Sequence, residues 1–131
     1  MRVAACLVLT LACIFVGASA VVAKRAVPAA VAPVVHQRIT YSAPRSQMGC
    51  IEAHQGRHLI YRRQIYVVKF DPNLERDVQD VFIKTLKLKD NALIVTNERG
   101  HQYRLDLKSL EVEVLTGSLV EQARKRREPI R

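Results

Sequence analysis

The chain contains no tryptophan, and its few tyrosines and phenylalanines bring the aromatic share to only 5%. Single-strand nucleic-acid platforms stack bases on aromatic rings, so nucleic acid is a poor fit as a partner despite the basic residues near Tyr61 and Tyr66. Cysteine is scarce as well, with Cys6, Cys13 and Cys50 only. The first two lie in an apolar N-terminal stretch; once that stretch is removed a single cysteine remains, which cannot form a bridge within its own chain. That excludes the internal disulfide framework that staples many small secreted domains. No Gly-rich phosphate loop, no nucleophile-elbow serine and no His-Glu-x-x-His helix occurs, which removes the linear signatures of several catalytic classes.

What is present begins with a targeting signal. Met1-Arg2 opens a positive n-region, Val3 to Gly17 run without a charge, and Ala18-Ser19-Ala20 places small residues where a signal peptidase reads. Residues 1–20 therefore read as a secretory signal. The apolar run continues through Val21, Val22 and Ala23, and roughly 20 apolar residues are enough to span a bilayer. The alternative is an uncleaved anchor over residues 3–23. The expected location is periplasmic or secreted in the first case and membrane-anchored in the second.

The formal net charge of +9 is unevenly spread. Residues 24–63 carry seven basic side chains against Glu52, whereas residues 64–123 carry eight basic and ten acidic ones. The tail is basic again through Arg124, Lys125, Arg126 and Arg127. Basic flanks around a nearly neutral centre favour an acidic surface, such as lipid headgroups or wall polymer, or an acidic protein partner.

Residues 21–49 are Ala/Val/Pro-rich and basic, with Pro28 and Pro33 disfavouring helix, and read as a semi-extended linker. Ile39 and Tyr41 within it have the spacing of a short edge strand. From Leu59 the composition turns to Ile, Val, Tyr and Phe, closed by the turn Asp71-Pro72-Asn73. Strands are expected at Val81–Leu88 and Leu93–Thr96, joined by Lys89-Asp90-Asn91. Tyr103, Leu105 and Leu107 then alternate with Gln102, Arg104 and Asp106, and Val112 and Val114 alternate with Glu111 and Glu113. Period-two alternation broken by frequent turns predicts an antiparallel meander with one wet face. The meander resembles one blade of a β-propeller, but no internal repeat supplies the further blades that such a ring needs.

The expected fold is mainly β, a small antiparallel meander, partly open barrel or sandwich over residues 50–117. A basic tail over residues 118–131 follows, with a short C-terminal helix at 118–127. Ser118 and Glu121 have capping-box spacing there, and the basic residues gather at the C-terminal end. A domain this small without disulfides is marginal alone, and its sheet edges need cover. A protein partner or a homo-oligomer is expected.

Two sets of residues are candidates for chemistry. Cys50, His54 and His58 fall at i, i+4 and i+8, so a continuous helix would present all three on one face as zinc or copper ligands. Gly56 within the run and the missing fourth ligand weigh against that. The second set is electrostatic: Arg57, Arg62, Arg63 and Arg124 to Arg127. The acidic pairs Asp77/Asp80 and Glu111/Glu113 read as solvated charge, no motif calls for a cofactor, and no enzyme is expected. The reading is an exported, envelope-associated β-domain acting as a non-catalytic interaction or structural module. The alternative is a metal- or redox-linked binding protein built on Cys50, His54 and His58.

Overall fold

The computed structural model describes residues 25–123; residues 1–20, read from the sequence as a signal, and the run Arg124–Arg127 lie outside the described residues. Within them the strands are β1 (Val34–His36), β2 (Ile39–Ser42), β3 (Cys50–Gln55), β4 (His58–Gln64), β5 (Val67–Lys69), β6 (Ile83–Lys89), β7 (Ala92–Asn97), β8 (Gln102–Asp106), β9 (Val112–Thr116) and β10 (Val120–Gln122). A single 3-10 turn, Asp77–Gln79, interrupts the connection from β5 to β6. The protein is mainly β, its larger sheets are antiparallel, and none closes on itself. No described helix is long and apolar enough to cross a membrane.

Turn chemistry sets the order of the strands. Asp90 and Asn91, at φ 48° and 58°, form a two-residue loop that places Lys89 opposite Ala92. Both residue types tolerate the left-handed region, and two successive positive φ angles give the turn twist that hairpins require. Gln37 and Arg38 make the same kind of loop between β1 and β2, at φ 49° and 65°. Repeated hairpins give one four-stranded sheet in the order β1-β2-β3-β4 and a second in the order β6-β7-β8-β9. A two-stranded parallel pair, β5 with β10, completes the structure.

The alternation read from the sequence is the alternation of burial. Leu93 and Val95 of β7 and Tyr103 and Leu105 of β8 are fully buried, while Val112 and Val114 pack inward and Glu111 and Glu113 stay exposed. Tyr41 of β2 and Ile51 and Ala53 of β3 meet them from the first sheet, and Ile65 and Tyr66 fill the space between. The Tyr66 and Tyr103 rings stack with centroids 5.2 Å apart and planes 21° from parallel. Such a pair adds about 0.5–1.5 kcal/mol beyond its buried area. The Tyr66 hydroxyl donates to the Val81 carbonyl, so burying it leaves no orphaned donor.

Two parts of the chain differ from expectation. Residues 34–42, read as linker apart from a possible edge strand, form β1 and β2, and Tyr41 is only 3% exposed. The short C-terminal helix is not present. Val120–Gln122 is instead β10, running parallel to β5 with Val120 opposite Val67. The Ser118 hydroxyl accepts from the Val120 amide, two residues on, as in a turn, and the Leu119 carbonyl accepts from the Val67 amide. A short helix is marginal in water. Here the backbone finds its partners on β5, and Glu121 points into the protein where a capping residue would reach back along its own chain.

Candidate functional site

The sequence candidates fall on strands, and that decides what they can do together. Cys50 opens β3, is 4% exposed, and donates through Sγ to Gln64 Oε1 at 3.0 Å across the β3–β4 ladder. Burial pushes its thiol above the ordinary range, against the opposing pull of Arg62, which disfavours the thiolate that a metal or an electrophile would need. His54 lies further along β3, with Nε2 3.7 Å from Glu52 Oε2, and His58 is exposed at the start of β4. On an extended strand, positions i and i+4 stand about 13 Å apart, so Cys50 and His54 do not converge. Among the described residues no group of three or more His, Cys, Asp or Glu is placed to hold a metal ion. The continuous helix on which that reading depended is replaced by the β3–β4 hairpin.

The arginines divide. Arg57 sits exposed in the turn between β3 and β4. Arg62 is exposed but donates to Glu52 on the neighbouring strand, through Nε at 2.9 Å. Arg63 reaches from β4 to the turn before β9, donating through Nε to the Leu110 carbonyl at 2.9 Å. Arg124, Lys125, Arg126 and Arg127 lie outside the described residues.

The most elaborate polar arrangement escaped the sequence reading. Glu121 is 2% exposed on β10, between the exposed Val120 and Gln122. Its Oε1 accepts from Asn97 Nδ2 at 2.8 Å and from His101 Nδ1, and Oε2 accepts from Arg99 Nη1 at 2.9 Å. The Tyr103 hydroxyl stands 3.0 Å from Oε1 and 2.6 Å from the Ser118 carbonyl. Asn97, itself fully buried, also accepts from the Arg99 and His101 amides and so shapes the turn that presents those two side chains. Burial by itself would raise the Glu121 pKa; the hydrogen bonds from His101, Asn97, Tyr103 and Arg99 outweigh it and hold the carboxyl below its ordinary value. Burial, then the hydrogen bond to Glu121 and its charge, pushes the Tyr103 phenol up. At neutral pH the carboxylate is therefore ionised, the phenol keeps its proton, and every oxygen of Glu121 is engaged. A general base needs a free lone pair facing a substrate. This carboxylate instead pins the last described strand to the second sheet. Its partners lie about twenty residues away in sequence, so no linear motif marks them.

The remaining features are clefts and edges. A cleft of about 260 Å³ opens between Arg25, Leu74, Val78, Asp80, Glu98 and Ala123. It is crossed by Arg25, which bonds the Asp80 carbonyl and Glu98 at 2.5 Å each. A second, more polar cleft of about 560 Å³ lies between Arg63 on one side and Arg104, Asp106, Glu111, Val112 and Glu113 on the other. It separates β4 from β9, the outer strands of the two sheets, and among the described residues neither has a partner on its free edge. The β4 edge carries Leu59 and Ile60, each 47% exposed, and the β9 edge carries Leu115 at 43%.

These features define a mainly β protein with open sheet edges and a buried carboxylate clamp. Comparison with protein-family models and with curated proteins finds no match in either.

Proposed function

We propose that the chain is an exported, envelope-associated β-protein that works as a non-catalytic interaction module. Its two four-stranded sheets, facing one core as the halves of a small sandwich, serve as a rigid platform. The basic flanks draw it to an acidic envelope surface or partner, and a sheet edge makes the specific contact. The observation that carries this reading is the free edge of β4, where Leu59 and Ile60 are exposed beside the cationic tip at Arg57. An edge strand offers unpaired backbone donors and acceptors to an incoming strand. The role of Arg57, Arg62, Arg63 and Arg124 to Arg127 is electrostatic. Arg62 and Arg63 act partly by positioning, since each already holds an internal partner.

The test is sedimentation of the mature protein with phosphatidylglycerol vesicles, beside neutral phosphatidylcholine vesicles, at rising salt. Between about 0.01 M and 0.15 M the screening length falls from roughly 30 Å to 8 Å. Binding to the anionic vesicles should fall steeply over that range, and neutral vesicles should not bind. Salt-insensitive binding, or none at low salt, refutes the electrostatic part.

A further inference from the structure

The edges of β4 and β9 complement each other. β4 and its turn carry Arg57, His58, Arg62 and Arg63 with no acidic residue, and residues 111–116 carry Glu111 and Glu113 with no basic one. Each strand also holds one residue that its neighbour leaves unpaired. On β4, Ala53 pairs Tyr61 and His54 pairs Leu59, which leaves Ile60. On β9, Gln102 pairs Thr116 and Tyr103 pairs Val114, which leaves Leu115. Both bulged residues are apolar and nearly half exposed.

We infer that the specific partner of this protein is a second copy of itself, joined by antiparallel pairing of β4 in one copy with β9 in the other. This rests on the interaction-module reading and names its partner. The register follows from placing bulge against bulge, Ile60 opposite Leu115. Tyr61 then meets Val114, Arg62 meets Glu113, Arg63 meets Val112 and Gln64 meets Glu111. One register thus satisfies two features: the bulged, exposed apolar side chains cover each other, and Arg62, which also holds Glu52 of its own sheet, faces Glu113, which also lies opposite Arg104 of its own. Cross-strand pairs of opposite charge favour such a ladder, and like charges directly opposite oppose it. Pairing β4 with a second β4 would set arginine-rich strands side by side, and the other basic edge, β6, bulges at Lys84 and would set that charge against Leu115, so charge and bulge together select the β4–β9 combination. A single ladder of this length is short. A two-fold axis lets both edges pair at once, β4 to β9 and β9 to β4, which doubles the contact and leaves neither edge free.

The experiment is analytical ultracentrifugation of the mature protein, with circular dichroism to confirm folding. The wild type should associate, with dimer as the limiting species, at concentrations up to about 100 µM. Glu113→Arg sets a like charge opposite Arg104 of its own sheet, a cost of up to about 1 kcal/mol, so it should stay folded and weaken association roughly 100-fold or more, because Arg62 of the second copy then also faces a like charge. Lys87→Glu, on an exposed position of β6, should leave association unchanged. An equimolar mixture of Arg62→Cys and Glu113→Cys chains should form an inter-chain disulfide that neither gives alone. A wild type that stays monomeric throughout overturns the self-pairing and leaves the vesicle result untouched. A dimer that survives Glu113→Arg and yields no mixed disulfide overturns the β4–β9 register.

Discussion

Replacing Glu121 with alanine removes the one buried side chain of β10 and strands the groups around it. Asn97 suffers most. It is fully buried, and Glu121 is the acceptor for its Nδ2 group, so an orphaned amide donor costs about 1–3 kcal/mol. The other partners recover in part: Arg99 keeps the Gln122 carbonyl, Tyr103 keeps the Ser118 carbonyl, and His101 can turn to water from a side chain 34% exposed. Breaking a buried charge pair at one end costs about 3–5 kcal/mol in general, and these recoveries place Glu121→Ala near the lower end, about 3 kcal/mol. With a urea m-value of about 1.5 kcal/mol/M, the midpoint should fall by about 2 M. Glu121→Gln keeps the volume and loses the charge, so it should fall by less. The pH dependence follows from the depressed pKa of Glu121. A carboxyl whose folded pKa lies below its unfolded value stabilises the fold fully above the unfolded pKa and loses that contribution as pH falls through the folded one. The stability gap between wild type and Glu121→Gln should therefore be constant above about pH 4.5 and shrink below it. An alanine midpoint within about 0.3 M of wild type, or a glutamine gap unchanged into strong acid, refutes the clamp.

Two further predictions concern the same region and the Cys50 thiol. Gly117 has φ +94°, and a Cβ there would stand 2.3 Å from His101 Cγ. Gly117→Ala should therefore displace His101 from Glu121 and cost more than about 1 kcal/mol, read as a lower urea midpoint; an unchanged midpoint refutes it. Cys50 should react with dithionitrobenzoate far more slowly in the folded protein than in urea, because burial raises its pKa and hides the sulfur. Equal rates in both states would show that the thiol is not held as described.

The strands of the second sheet were legible because side-chain period and turn chemistry are local. Tyr103 and Leu105 face inward and Arg104 outward for the same reason that they alternate in the chain, and Asp90-Asn91 closes its hairpin whatever lies across the core. Two features were not local. Cys50, His54 and His58 share a spacing that suits a helix or a strand equally to the eye, and only the pairing of β3 with β4 decides between them. Ser118 and Glu121 have the spacing of a helix cap, yet the backbone there pairs with β5, more than fifty residues earlier, and the carboxylate meets Asn97, Arg99, His101 and Tyr103. The sequence by itself therefore determined the β character, the wet and dry faces of the second sheet and the uneven charge. Tertiary structure alone decided the fate of the C-terminal segment and which strands stand at the sheet edges. A short segment has too little intrinsic preference to choose its own conformation, so the partners that packing brings to it make the choice.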